Sequence, residues 1–322
     1  MRGREASTIT IPITRVFLPS MGYLAESPSG LPAVIVCVPC RIIPLLLAIL
    51  PILPLGAEQK RGTVIFDGEG YFRDDFRSGS LAKWGLSEDN RYSLDACTPG
   101  RIDIVDAPGL PAGTKAVRFT VPRAPNSFRA EISTRHEDGF QERWFSQRIL
   151  IPREWTPEFK SKGNDIVMQW HGIPGNGKPT HPNLEISIGR DKWFVRQSFG
   201  SAREPQRVNK ELDEKVVPGQ WVSWVIHARW SPQESGSIRI WKDAKLVFEA
   251  NGPNVYGDIG VEYSPYLKTG IYHPEWNLDR ENRRLAFDRE EPQSLLKVVY
   301  VTDVKVARGD KKFEEMDPDA RK

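Results

Sequence analysis

From about residue 62 onward, short runs of alternating apolar and polar residues are separated by clusters of Gly, Pro, Asn and Asp. Alternation sends successive side chains to opposite faces of a strand, and many such runs between turn signals predict a sandwich or barrel. The clearest runs are KAVRFTV (115–121), RWFSQRILI (143–151), DIVMQWH (165–171), LEISIG (184–189) and KWFVRQSF (192–199). QWVSWVIHARW (220–230), SIRIWKDAKLVFEA (237–250) and LLKVVYVTDVKVA (295–307) follow, and IWKDAKLVF is predicted to turn back on itself at Lys242 to Ala244. Helical periodicity is nearly absent, so the fold class is all-β.

In QWVSWVIHARW, Val222, Trp224, Ile226, Ala228 and Trp230 share one face, and Trp221, Ser223, Val225, His227 and Arg229 share the other. This places the strand between a core and a second surface. Burying a large aromatic is worth roughly 2 to 3 kcal/mol, so most of the Trp residues are assigned to the core and given no chemistry.

Composition narrows the class. Formal charge is +3, from 45 Lys+Arg against 42 Asp+Glu, which is no bulk excess of the kind that marks a nucleic-acid partner. Any anionic ligand must be met by a local patch. Residues 33–57 are strongly apolar, follow Arg2, Arg4 and Arg15, and end at Gly56-Ala57 before the polar EQKRG. Four prolines in this stretch disfavour a regular spanning helix, so 1–57 reads as an export leader, with an uncleaved membrane anchor as the lesser option. Export implies a secreted or periplasmic protein that touches a membrane through this segment alone, if it is kept. Met21 is an alternative start. No repeat or linker divides 58–310, which reads as one domain, and the charged 311–322 is expected to fray.

Cys37 and Cys40 fall in the leader with no βαβ pattern around them, and Cys97 alone would remain, as a packed thiol. The histidines 136, 181, 227 and 273 lack zinc spacing. GNGKPT (175–180) lacks the spacing and following helix of a phosphate loop and reads as a loop over a groove. RQSFGSAREPQRVNK gathers Arg196, Arg203, Arg207 and Lys210, which either line a groove for an anionic polymer or are solvated.

Three strands carry polar residues that burial does not require. Arg129 and Glu131 share a face in NSFRAEIS, and Gln169 and His171 share one in DIVMQWHG. YLKTGIY puts Tyr266, Lys268, Gly270 and Tyr272 together. In one sheet these would converge on a single surface suited to an acidic sugar. Taken singly, His171 could be an ordinary strand histidine, Arg129 and Glu131 a solvated cross-strand ion pair, and Lys268 a plain exposed lysine.

RAEI, QWH and YLKTGIY, in this order, resemble the three strand motifs of jelly-roll polysaccharide lyases, and FRDDFRSGSLAKW and VYVTDVKV resemble the first and last strands of concanavalin-like jelly rolls. The resemblance implies a sandwich of two antiparallel sheets and a lyase of the heparin lyase I and glucuronan lyase group, with motif similarity to alginate lyases. Ser133 stands where the alginate pattern has a second Arg, and His273-Pro274 where it has Asn-Gln, which favours the glucuronan or heparin side. No long basic insertion of the heparin lyase kind is present. No cofactor is implied beyond a structural Ca²⁺, as for some members; Asp74, Asp75 and Asp303 are too generic to be named as its ligands.

Such a lyase cleaves a 4-linked uronate by β-elimination, leaving a 4,5-unsaturated uronate at the new end. The substrate carboxylate must be neutralised, for which Arg129 and Gln169 are the candidates. A base removes H5 and an acid protonates O4. His171 can be the base and Tyr272 the acid; where H5 and O4 lie on the same side of the ring, Tyr272 can do both while His171 orients or neutralises. Lys268 is expected to favour the phenolate and hold sugar oxygens. Tyr266 and Arg196 are assigned to substrate binding, Glu131 to positioning Arg129 at the substrate, and Gly270 to leaving room for a sugar ring. A non-catalytic sugar-binding jelly roll would need no matched acid and base. A glycoside hydrolase of this fold would need two carboxylates flanking the bond, and its Glu-x-Asp-x-x-Glu strand is absent.

Overall fold

A computed structural model of the chain describes residue 64 and residues 66–84, 94–96, 100–124, 127–134, 137, 139–153, 164–174, 180–258, 261–277 and 296–320. The leader, Cys37, Cys40, Cys97, His136 and nearly all of GNGKPT lie outside these residues.

The alternating runs form strands that pair antiparallel in two sheets. One, the back sheet, runs β13 (Lys245–Asn251), β12 (Ser237–Lys242), β11 (Trp221–Arg229), β6 (Glu142–Leu150), β15 (Leu296–Arg308), β4 (Lys115–Pro122) and β3 (Arg101–Asp106), with β1 (Tyr71–Asp74) also on β15. The front sheet runs β10 (Pro205–Lys215), β9 (Lys192–Gly200), β8 (Leu184–Gly189), β7 (Asp165–Pro174), β14 (Val261–Tyr272), β5 (Arg129–Ser133) and β2 (Leu94–Ala96). The β12–β13 hairpin turns at Asp243 and Ala244, with φ of 48° and 61°, the left-handed pair that a two-residue turn between twisted strands requires.

The inner faces of the two sheets form the core. Trp193 of β9 meets Trp224 of β11 edge-on at 5.2 Å, and Phe145 of β6 meets Trp170 of β7 at 5.4 Å, so aromatic pairs join the layers. As the alternation predicts, Val222, Trp224, Ile226 and Ala228 of β11 belong to this core. Their neighbour Val225 faces outward into a second cluster with Tyr71, Trp144, Ala307 and Met316.

That second cluster corrects the expectation of a fraying end. Helix α1 (Phe313–Met316) buries Met316 and sets Phe313 5.2 Å from Trp241. Arg148 donates to the Pro318 carbonyl at 2.6 Å and to Asp319 at 2.7 Å, and Ser223 Oγ donates to Asp319. A high density of charge looked like a solvated tail; two apolar side chains and these anchors are enough to dock it. β10 was also hidden in the sequence, because an edge strand covered on neither side carries no apolar alternation.

Candidate active site

On the front sheet, Ala130, Ile132, Met168, Trp170, Leu267 and Ile271 point into the core. Their alternating neighbours Arg129, Glu131, Gln169, His171, Tyr266, Lys268 and Tyr272 therefore share the outer face. Register brings the three motifs side by side: Tyr272 lies opposite Arg129, Gly270 opposite Glu131, and Lys268 opposite both Ser133 and Gln169.

Glu131 is the hub. It is 1% exposed, accepts a 2.6 Å hydrogen bond from Gln169 Nε2, and stands 3.1 Å from Lys268 Nζ and 3.5 Å from Arg129 Nε. A carboxylate this buried requires such partners. The solvated ion-pair alternative for Arg129 and Glu131 does not hold, and Lys268 is buried rather than an exposed strand lysine. Two cations about one carboxylate leave the cluster net positive. Lys268 is engaged by Glu131 and is separated along β14 from Tyr272 by Gly270, so the cation next to Tyr272 is Arg129, whose guanidinium carbon lies 4.5 Å from the ring centroid. Phe128 packs against the same ring at 5.9 Å, holding its orientation.

His171 is placed apart from Tyr272. It pairs with Tyr266, whereas Tyr272 pairs with Ile166, and five residues of strand separate those two pairs, about 16 Å. Its Nδ1 lies 2.9 Å from the Gly172 carbonyl and its Nε2 3.0 Å from the Thr180 carbonyl. Burial, and then the nearby Lys268, lower its pKa to about 4, so the ring is neutral at neutral pH.

Gly270 has a different reason from the one expected. Its φ is 138°, and a Cβ there would strike the Ala130 carbonyl, lie 2.8 Å from Glu131 Cα and 2.9 Å from Phe119 of the opposite sheet. The missing side chain lets β14 close on β5, rather than admitting a sugar.

One site residue escaped the sequence reading. Glu185, 3% exposed, lies directly opposite Gln169 on the neighbouring strand and 2.7 Å from Arg196 Nη1. Burial pushes its carboxyl up, and Arg196 and Arg207 offset this only in part. Its signal was present in LEISIG, where a single carboxylate alternates with apolar residues.

A model of the polysaccharide lyase family matches residues 76–291, more than half of the chain and all of the site above. The chain belongs to the polysaccharide lyase family. No curated protein sequence matches this lyase. Among solved structures it is similar to the endo-β-1,4-glucuronan lyase from the fungus Trichoderma reesei, with a TM-score of 0.61 and 19% identity over 78% of this chain and 99% of that one. The cellulose-induced protein Cip1 has a TM-score of 0.46 and 11% identity, covering 73% of this chain and 96% of its own. The likeness to the Trichoderma lyase concerns the fold, a β-sandwich jelly roll.

Behind its active face the lyase holds a second charged group that the sequence reading did not find. Asp165, at the start of β7, is 2.8 Å from His273 Nδ1 and 2.9 Å from Lys297 Nζ, all three buried. His273 directly follows Tyr272 in the chain, and its main-chain N–H donates to the Phe128 carbonyl at 2.8 Å. Burial would raise the Asp165 carboxyl, but Lys297 and His273 more than reverse this and lower it to about 2. The group ties the end of the Tyr272 strand to the back sheet. Two of the acidic residues of the first and last strands are taken up by protein partners: Asp74 accepts from the Trp84 indole and the Phe76 N–H, and Asp303 pairs with Arg148 at 3.1 Å. Among the described residues no group of three His, Cys, Asp or Glu side chains could hold a metal ion.

Proposed function

We propose that this lyase cuts a 4-linked uronate polymer of the glucuronan class by β-elimination. Arg129 and the remaining amide N–H of Gln169 neutralise the substrate carboxylate. Tyr272, as phenolate, takes H5; the C5–H electrons form the C4=C5 double bond, the C4–O4 bond breaks, and the proton passes from Tyr272 to O4. One group can do both because H5 and O4 lie on the same side of a glucuronate ring. His171 then orients a substrate hydroxyl or ring rather than serving as base.

The observation that carries this reading is the Arg129 guanidinium 4.5 Å from the Tyr272 ring and, on the same strand as Arg129, a buried Glu131 that fixes Gln169 and Lys268. Positive charge is thereby held where the phenolate and the carboxylate both need it. A hydrolase is disfavoured: Glu131 and Glu185 are both buried and each is held by cations, Lys268 and Arg129 beside one and Arg196 beside the other, which does not suit the free acid and base pair that hydrolysis needs. The name of the Trichoderma protein, an endo-β-1,4-glucuronan lyase, makes glucuronan the first polymer to try. The apolar leader with its Gly56-Ala57 end supports export to the periplasm or medium, where such a polymer is met.

The test is incubation of purified protein with glucuronan, alginate, heparin, heparan sulfate and hyaluronan, following ultraviolet absorbance of the conjugated product. Absorbance rising fastest on glucuronan is the expected result. Binding with no absorbance on any polymer would make this a sugar-binding protein, and new reducing ends without absorbance a hydrolase.

A further inference from the structure

At the other end of the front sheet, an open hollow of about 450 Å³ is lined by Asn164, Arg190, Phe194, Arg196 and Asn209. Phe194 and Arg196 are alternate residues of β9 and therefore share the outer face with Gln169 and Tyr272. Arg196 is fixed from two sides, donating from Nε to Asn209 Oδ1 at 2.8 Å and pairing through Nη1 with the buried Glu185 at 2.7 Å. A guanidinium carries five N–H bonds, so these partners orient it and leave donors for a ligand. The Arg190 guanidinium carbon sits 6.0 Å from the Phe194 ring centroid, so a second cation flanks an aromatic face that is only half buried.

We infer that this hollow is a distal subsite for an acidic sugar, with Arg196 receiving the carboxylate and Phe194 stacking on the ring. The inference rests on the uronate lyase reading above. Register supplies the geometry: Phe194 lies opposite Ser187, Ser187 opposite Ile166, and Ile166 opposite Tyr272. Three strand spacings, about 14 Å, therefore separate the hollow from the cleavage point. A single sugar at the Tyr272 end cannot reach it, whereas a polymer crossing the strands fills both. Glu185 acts in this subsite as a positioning residue. It lies between Gln169 and Arg196 on adjacent strands, and a carboxylate there holds the second cation in the line of the polymer.

The experiment compares kcat/KM on uronate oligomers of increasing length for wild type, Arg196→Ala and Phe194→Ala. For both variants the ratio of long-oligomer to short-oligomer kcat/KM is expected to fall about tenfold, through KM. Phe194→Ala leaves the Glu185 to Arg196 pair intact, so its result does not depend on a buried carboxylate losing its partner. An equal loss at every length, or no loss, would overturn the subsite. If wild type cleaves no uronate polymer, the lyase reading fails separately, and calorimetric binding of a long uronate oligomer decides the subsite. Weaker binding by both variants upholds it, and unchanged binding overturns it.

Discussion

Gln169 on β7 donates to Glu131 on β5 at 2.6 Å, reaching over β14, the strand that lies between them. This one bond ties the three motif strands into a single unit, because Lys268 of the intervening strand is held by the same carboxylate at 3.1 Å. Glu131→Ala should therefore do two things at once. Removing the buried carboxylate that Lys268, Gln169 and Arg129 share costs about 3 kcal/mol, measured by urea unfolding. Activity should fall on the order of 100-fold as Gln169 and Arg129 lose their orientation. Adding Lys268→Met to Glu131→Ala should recover part of the stability and none of the activity.

Gly270 is a constraint of packing, and Gly270→Ala tests it. A Cβ would meet the backbone of β5 and Phe119 at a φ of 138°, so the variant should lose about 2 to 4 kcal/mol in unfolding experiments. Had the glycine served sugar access alone, stability would stay near wild type and KM alone would rise.

The neutral His171 predicts a pH dependence of stability. Its pKa in the folded protein, about 4, lies below the ordinary 6.5, so the unfolded chain binds a proton that the folded one refuses between these values. Stability is therefore full above about 6.5 and is lost as pH falls toward 4. His171→Gln should remove this part of the acid sensitivity, narrowing the drop in Tm between pH 7 and pH 4.5 by on the order of 5 °C. The acid limb of the rate profile should remain, since His171 is not the base in this account.

Asp165 extends the same argument to stronger acid. Its folded pKa, about 2, is below its unfolded value near 3.9, so its contribution, about 2 kcal/mol, is present above pH 4 and lost as pH falls toward 2. Asp165→Asn should be less stable at pH 7, and its stability should change less between pH 4 and pH 2. Circular dichroism melts across that range check both.

The sequence showed most of the sandwich, because the strands alternate an apolar core face with a more polar outer face, as in LEISIG and QWVSWVIHARW, even where both faces are buried. It did not show β10 or the docking of Met316, where one strand lacks an apolar face and one helix uses only two apolar side chains. The site was legible as three polar strand faces. What separated His171 from Tyr272 was register, which no strand motif carries by itself. The Asp165, His273 and Lys297 group was hidden for a related reason, since its members come from distant segments.

The central claim is that Tyr272 moves the proton from C5 to O4. Tyr272→Phe keeps the ring against Phe128 and Arg129 and removes only the hydroxyl. The measurement is the rate of ultraviolet absorbance gain on the best polymer, alongside oligomer binding by calorimetry. The expected result is a loss of about 10³-fold or more in kcat with binding retained. Turnover near the wild-type rate would contradict it.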